Sequence, residues 1–225
     1  MHTVLIFFFF SYSPKKIYIL QITFLQFRMI ITVGFVKENA WPELIPKLRT
    51  VFESSNLISQ NAHSRWDAIN VLTILHTIIR PFQYFQNPKV PREPVPAQLE
   101  SIAEILVIPL VVTLHHNVEK ALSFQYKIQF DLEQVLLMIC KCIYFSVKSY
   151  MPAALSAILP SFCQDLFQIL NSLNLECASP DNGYLLRLKT AKKSLYIFRA
   201  LVTHHQKHVN KLLPNIFNCA FKLSK

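Results

Sequence analysis

The sequence predicts an all-α fold, an incomplete superhelix of stacked helix pairs. Three observations carry that prediction. Amphipathic stretches with apolar residues at i, i+3, i+4 and i+7 recur through the middle and end of the chain. Three of them open on a proline-led element: Trp41-Pro42-Glu43-Leu44, Leu159-Pro160-Ser161-Phe162 and Leu213-Pro214-Asn215-Ile216. Proline fits the first helical position, where its missing N–H has no intrahelical partner to lose. Glycine occurs only at Gly34 and Gly183, too rarely for a sheet protein rich in tight turns. Helices of this kind bury their stripes by packing on neighbours, as solenoid repeats do, and such surfaces usually bind partners.

Residues 1–36 read as an apolar leader, and residues 37–225 as the helical domain. Residues 4–10 are an unbroken apolar run, 11–16 are polar, and 17–36 carry one charge, Arg28. The 17–36 stretch has the ~20-residue length of a bilayer span. The first run has the length of a signal-peptide core but lacks a basic start and a small-residue cleavage site. Three readings stand open: a membrane anchor, a buried terminal helix, or a leader foreign to the domain, such as translated non-coding sequence. The abrupt change into Glu38-Asn39-Ala40-Trp41-Pro42 motivates the third.

Residues 41–54 predict a short helix with Leu44, Leu48, Val51 and Phe52 on one side, and 55–64 a polar turn. Residues 65–80 predict a helix with Ala68, Val71, Leu72, Leu75, Ile78 and Ile79 inward, ended by Pro81. Ile69 and Ile74 widen that stripe, as expected of a helix contacted on two sides. Residues 82–96 hold Pro88, Pro91, Pro94 and Pro96 and predict an extended loop, an insertion between the two helices of one pair. Residues 97–122 predict a long helix with a bend at Pro109.

Asp131 opens the next, with Leu132, Val135, Leu136, Ile139, Ile143 and Val147 inward, Gln134, Lys141 and Lys148 outward, and Pro152 as its end. Pro160 is expected to start a helix whose stripe is Phe162, Leu166, Ile169, Leu170 and Leu173. Residues 179–183, Ser-Pro-Asp-Asn-Gly, form a turn. Residues 184–211 predict the last long helix, with Leu188, Ala191, Leu195, Phe198 and Val202 inward and Lys189, Lys192, Lys193 and Arg199 on other faces. Pro214 opens a final short helix. About three pairs and a half result, near the HEAT/ARM repeat period.

Composition narrows the function. Two glycines cannot write a phosphate-cradling loop, a dinucleotide fingerprint or a nucleophile elbow. A net charge of +10 raises nucleic-acid binding, but the cations are dispersed apart from Lys189, Lys192 and Lys193, and no nucleic-acid module is recognisable. No direct nucleic-acid partner is expected. Five irregularly spaced cysteines suit reduced thiols of the cytosol or nucleus. No Asn-x-Ser/Thr acceptor occurs.

No catalytic, cofactor or metal residues are assigned. His204 and His208 stand i, i+4 and could share a zinc ion, but two histidines are not a site, and a polar helix end is the plainer reading of His204, His205 and His208. Adjacent His115 and His116 diverge on a helix. Cys140 and Cys142 point to nearly opposite sides and read as core or interface residues. Trp41 and Trp66 read as packing residues. The segment 87–94, with Lys89 and Arg92, is the best-placed loop for a partner, with a solvated connector as its plain alternative. Lys89, Arg92, Lys189, Lys192 and Lys193 are the partner-binding candidates.

Residues 41–46, Trp-Pro-Glu-Leu-Ile-Pro, with the 65–85 stretch and its Pro-Phe-Gln-Tyr-Phe end, resemble the amino-terminal HEAT repeats of importin-β-type nuclear transport receptors (karyopherins). Residues 95–121, 140–148, 151–170 and 183–190 look most like the importin-eleven branch, and the likeness spans about 38–223. The resemblance implies a non-catalytic receptor that moves between cytoplasm and nucleus. Its partners are the GTPase Ran, cargo proteins and nuclear pore proteins, and it needs no cofactor. In that family the second helix of each pair meets Ran and cargo; here those helices are expected to begin near Trp41, Ala97, Pro160 and Pro214. Full receptors are several times longer, and the apolar leader stands where the first, Ran-recognising repeat belongs, so the resemblance implies a truncated receptor. Exposed apolar faces at the cut ends predict self-association. The alternative is a membrane-anchored helical protein with its span at 17–36.

Overall fold

The computed structural model describes residues 43–54, 62–80, 97–123, 130–149, 151–173 and 182–222. The leader, the segment 81–96 with Lys89 and Arg92, and the side chains of Trp41 and Trp66 lie outside the described residues. Among those described, the chain is all helical and contains no strand. The helices are α1 (Leu44–Ser54), α2 (Ala62–Ile79), α3 (Ala97–Ser123), α4 (Phe130–Ser149), α5 (Ala153–Asn171), α6 (Asn182–His204), the short α7 (Gln206–Val209) and α8 (Leu213–Lys222). A 3₁₀ turn, Asn210–Leu212, links the last two.

Local chemistry explains the starts. In α1 Leu44, Leu48 and Phe52 of the expected stripe are buried together with Ile45, Val51 is half-buried, and the ion pairs Lys47–Glu43 and Arg49–Glu53, each at 2.9 Å, support its exposed side. Pro214 lies in the first turn of α8, as expected.

Pro160 does not start a helix. α5 begins after Pro152, whose carbonyl accepts the first helical bond from the Ser156 N–H at 3.0 Å, and runs through Pro160. The apolar stripe Leu155, Leu159, Phe162, Leu166 and Ile169 is continuous across the proline and buried. Pro160 itself is exposed, so the Ser156 carbonyl it leaves without an intrahelical donor lies on the side open to water. Burial of the stripe outweighs one missing bond.

The last long helix also departs from expectation: α6 ends at His204 instead of running to 211. The His205 N–H still bonds the Leu201 carbonyl at 2.9 Å, but the His205 backbone turns out of the helical region. Its ring Nε2 donates to the Val147 carbonyl at 2.6 Å. That carbonyl belongs to the last turn of α4, where helical acceptors have no intrahelical donor. A tertiary bond thus takes the place of further helix.

The helices pack in two rows. α1, α3 and α5 neighbour one another in one row, α2, α4 and α6 in the other; α1 leans across on α2, α3 on α4 and α5 on α6, and α8 rests on α5 and α6. In chain order the segment 82–96, expected within a pair, falls between α2 and α3, which belong to different packed pairs, and it lies outside the described residues. A single apolar core runs from Leu44 to Cys219. α4 is its hub: Val135–Cys140 are all buried.

The α6 stripe is rotated from the one expected. Thr190, Ala191, Ser194, Ile197, Phe198, Ala200 and Leu201 are buried, while Leu188, Leu195 and Val202 are half-buried. Thr190 and Ser194 donate their hydroxyls to the Leu186 and Thr190 carbonyls at 2.9 and 3.1 Å. So satisfied, they pack as small apolar residues and let α6 approach α4 closely. Phe167 and Phe198 stack at 4.8 Å between α5 and α6.

Candidate partner-binding face

The chemistry-bearing side chains gather on the outer side of α4 and α6. Lys141, Tyr144 and Lys148 recur at i, i+3 and i+7 on α4. Lys189, Lys192, Lys193, Tyr196 and Arg199 recur at i, i+3, i+4, i+7 and i+10 on α6. Each set occupies one side of its helix, and the packing of the two helices makes the sets one surface. Its centre is Lys193: the ammonium stands 4.3 Å from the Tyr144 ring centre, 5.2 Å from Tyr196 and 5.9 Å from Phe145. Lys192 lies 5.8 Å from Tyr196, and Lys148 lies 6.0 Å from Tyr144. These are cation–π distances. The two tyrosine rings are 6.1 Å apart. His76 of α2 extends the aromatic row, 5.2 Å from Phe145.

The electrostatics are crowded. Burial is the main cause that lowers the Lys193 pKa, with Lys141, Lys192 and Lys148 pushing the same way and Cys140 opposing. Burial also lowers that of Lys141, with Lys189 adding to it. The Tyr144 hydroxyl is raised, first by burial and then by Tyr196. Among the described residues, no carboxylate stands within ion-pair distance of Lys141, Lys148, Lys189, Lys192, Lys193 or Arg199.

Glu133, buried near the start of α4, is committed elsewhere. Arg187 donates to its Oε1 through Nε at 2.9 Å and Nη2 at 2.7 Å. Burial raises the Glu133 pKa while Arg187 opposes it. The pair lines a shallow crevice with Val118, Leu136, Ile169 and Ser172.

Of the residues singled out from sequence, Lys189, Lys192 and Lys193 are brought together here. Lys141, Lys148 and Arg199, read from sequence only as outward-facing, join them. Their spacing was visible along each helix; that α4 and α6 are neighbours was not.

The remaining chemical candidates are separated. The helix break at His205 removes the shared face on which His204 and His208 were considered. His208 Nδ1 is hydrogen-bonded to Ser156 Oγ at 2.9 Å, a contact between α7 and α5 that sequence reading missed. Burial lowers the pKa of His205, against the Val147 bond, which raises it. His115 Nδ1 donates to Asp165 Oδ1 at 2.8 Å across α3 and α5.

Cys140, Cys142 and Cys163 are buried. Burial pushes the thiols of Cys140 and Cys163 up to about 12 each and that of Cys142 higher still, so all three remain protonated and poorly nucleophilic at neutral pH. Cys142 Sγ points to the Leu72 carbonyl at 3.6 Å, on the neighbouring α2. Among the described residues, no three His, Cys, Asp or Glu side chains cluster as a metal site. α5 is long and apolar enough to cross a membrane, but half of its apolar window is buried against other helices, as in a core helix.

Comparison with protein-family models, curated proteins and solved structures finds no match for this chain.

Proposed function

We propose that this chain is a non-catalytic, protein-binding solenoid of HEAT/ARM type, from a nuclear import receptor of the importin-β kind. The supporting observation is the order of helix neighbours: each long helix leans on one partner across the rows and on the helix two places along its own row. That is how repeats without a closed core of their own bury their stripes. The resemblance of residues 38–223 to karyopherin repeats supplies the transport role, with Ran, cargo and nuclear pore proteins as partners and the cytoplasm and nucleus as its compartments.

In this reading α2, α4 and α6, which neighbour one another in one row, are the second members of their pairs. The assignment made from sequence instead has the second helices begin near Trp41, Ala97, Pro160 and Pro214. The partner-facing row in this reading is the one that carries the lysine–tyrosine face.

The test is capture of Ran by the full chain. Preferential retention of GTP-loaded over GDP-loaded Ran supports the receptor reading; equal capture, or none, ends it. The alternative, a protein anchored through residues 17–36, rests on the hydropathy of that segment. Carbonate-resistant membrane association of the full chain, lost when 17–36 is replaced by a polar linker, would favour it instead.

A further inference from the structure

We propose that the outer face of α4 and α6, centred on Lys193, Tyr144 and Tyr196, is a docking surface for an acidic polypeptide segment. The inference stands independently of the transport reading. Charge complementarity is the first argument: Lys141, Lys148, Lys189, Lys192, Lys193 and Arg199 share one side of two adjacent helices, without a carboxylate in ion-pair reach among the described residues. Like charges gathered this closely repel one another, and an incoming anion relieves that repulsion as well as making new bonds.

The second argument is local. Lys193 is half-buried among Tyr144, Tyr196 and Phe145. A carboxylate drawn to this ammonium enters a partly dry environment, where a charge-assisted hydrogen bond is stronger than at an open surface. Exposed Lys189, Lys192 and Arg199 form an outer rim that would steer the approach.

The choice of a polypeptide over a nucleic acid follows from the rings. Single-stranded nucleic acids are held by bases stacking on open aromatic faces. Here Tyr144 and Tyr196 already lie beneath lysine ammonium groups. What the face offers outward is ammonium, guanidinium and phenol donors, which suit carboxylates. The α6 set, ten residue steps from Lys189 to Arg199, covers about 15 Å at ~1.5 Å per step. Four or five residues of an extended peptide span about that length at ~3.3 Å each.

The test uses the full chain and a short fluorescein-labelled glutamate-rich peptide, read by fluorescence anisotropy. A lysine-rich peptide and a single-stranded RNA of similar length serve as comparisons. The glutamate peptide should bind, more weakly as salt rises, and the lysine peptide should not. Combining K189E, K192E and R199E should weaken binding by at least about tenfold, whereas K207E with K211E, exposed cations outside this face, should change it by less than about twofold.

Absence of peptide binding, equal loss in both variants, or tighter binding of the RNA than of the peptide would each overturn the proposal. If the triple variant melts early, lysine acetylation of the unmodified chain decides. The bound peptide should protect Lys189 and Lys192 and leave Lys207 and Lys211 reactive; uniform reactivity would overturn the proposal.

Discussion

Helices α4 and α8 are both rich in apolar side chains and meet opposite fates. α4 is enclosed by α2, α3 and α6 and buries residues on nearly every side. α8 rests on α5 and α6 and buries Ile216 and Cys219. Its Phe217 and Phe221 are 61 % and 62 % exposed. Side-chain hydrophobicity does not separate the two helices; the number of directions from which neighbours arrive does. The same contrast explains the lysine–tyrosine face, since Lys141, Tyr144 and Lys148 lie on the one side of α4 left open.

The largest test of this contrast is a matched pair of truncations. Ile139→Ala, at a fully buried position in α4, should cost about 2–5 kcal/mol in urea unfolding. Ile216→Ala in α8 should cost at least ~1 kcal/mol less, because a partly open site leaves less of a cavity. Equal losses would mean that α8 is as enclosed as α4.

A second test addresses the α4–α6 contact. Arg187→Met leaves Glu133 buried without the guanidinium that donates twice to its Oε1. Breaking a buried pair costs ~3–5 kcal/mol; because Arg187 is partly exposed, about 2 kcal/mol is expected, measured by the same unfolding transition.

The joint between α6 and α7 sharpens the comparison through pH. Burial lowers the His205 pKa from 6.5 in the folded chain, so folding favours the neutral ring. The resulting stability is fully present above pH 6.5, the ordinary value, and is lost as pH falls toward the lower folded value. The urea midpoint should therefore drop on acidification below that point, and His205→Gln should flatten this part of the profile. An unchanged slope in the variant would remove His205 as the cause.

The smallest effect on stability belongs to Phe217→Ser, within about 0.5 kcal/mol, since the ring is mostly exposed. Its effect on association should be larger. We expect the full chain to self-associate in sedimentation at raised concentration and this variant to do so less.

Much of the helix content was legible because a stripe at 3.6-residue spacing needs only local sequence. The existence of α1 through α6 followed from it, and so did their approximate limits apart from the start of α5 and the end of α6. The errors share one origin. Pro160 looked like a start because a proline was weighed against one turn of helix, whereas the buried stripe from Leu155 to Ile169 runs about four turns across it. Thr190 and Ser194 were absent from the expected stripe because pattern reading counts apolar residues and overlooks hydroxyls satisfied within the helix. The end of α6 could not be found from sequence, since it depends on a carbonyl 58 positions earlier in the chain.

By itself the sequence determined that these residues fold as amphipathic helices, that glycine-dependent phosphate loops are excluded, and that cations outnumber acids. Local backbone chemistry and composition suffice for each. Tertiary structure alone decided which helices became neighbours, and with that which lysines meet over Tyr144, where Glu133 finds Arg187, and which apolar rings stay in water. Those outcomes depend on distances between side chains far apart in the chain, and helical periodicity carries no information about them.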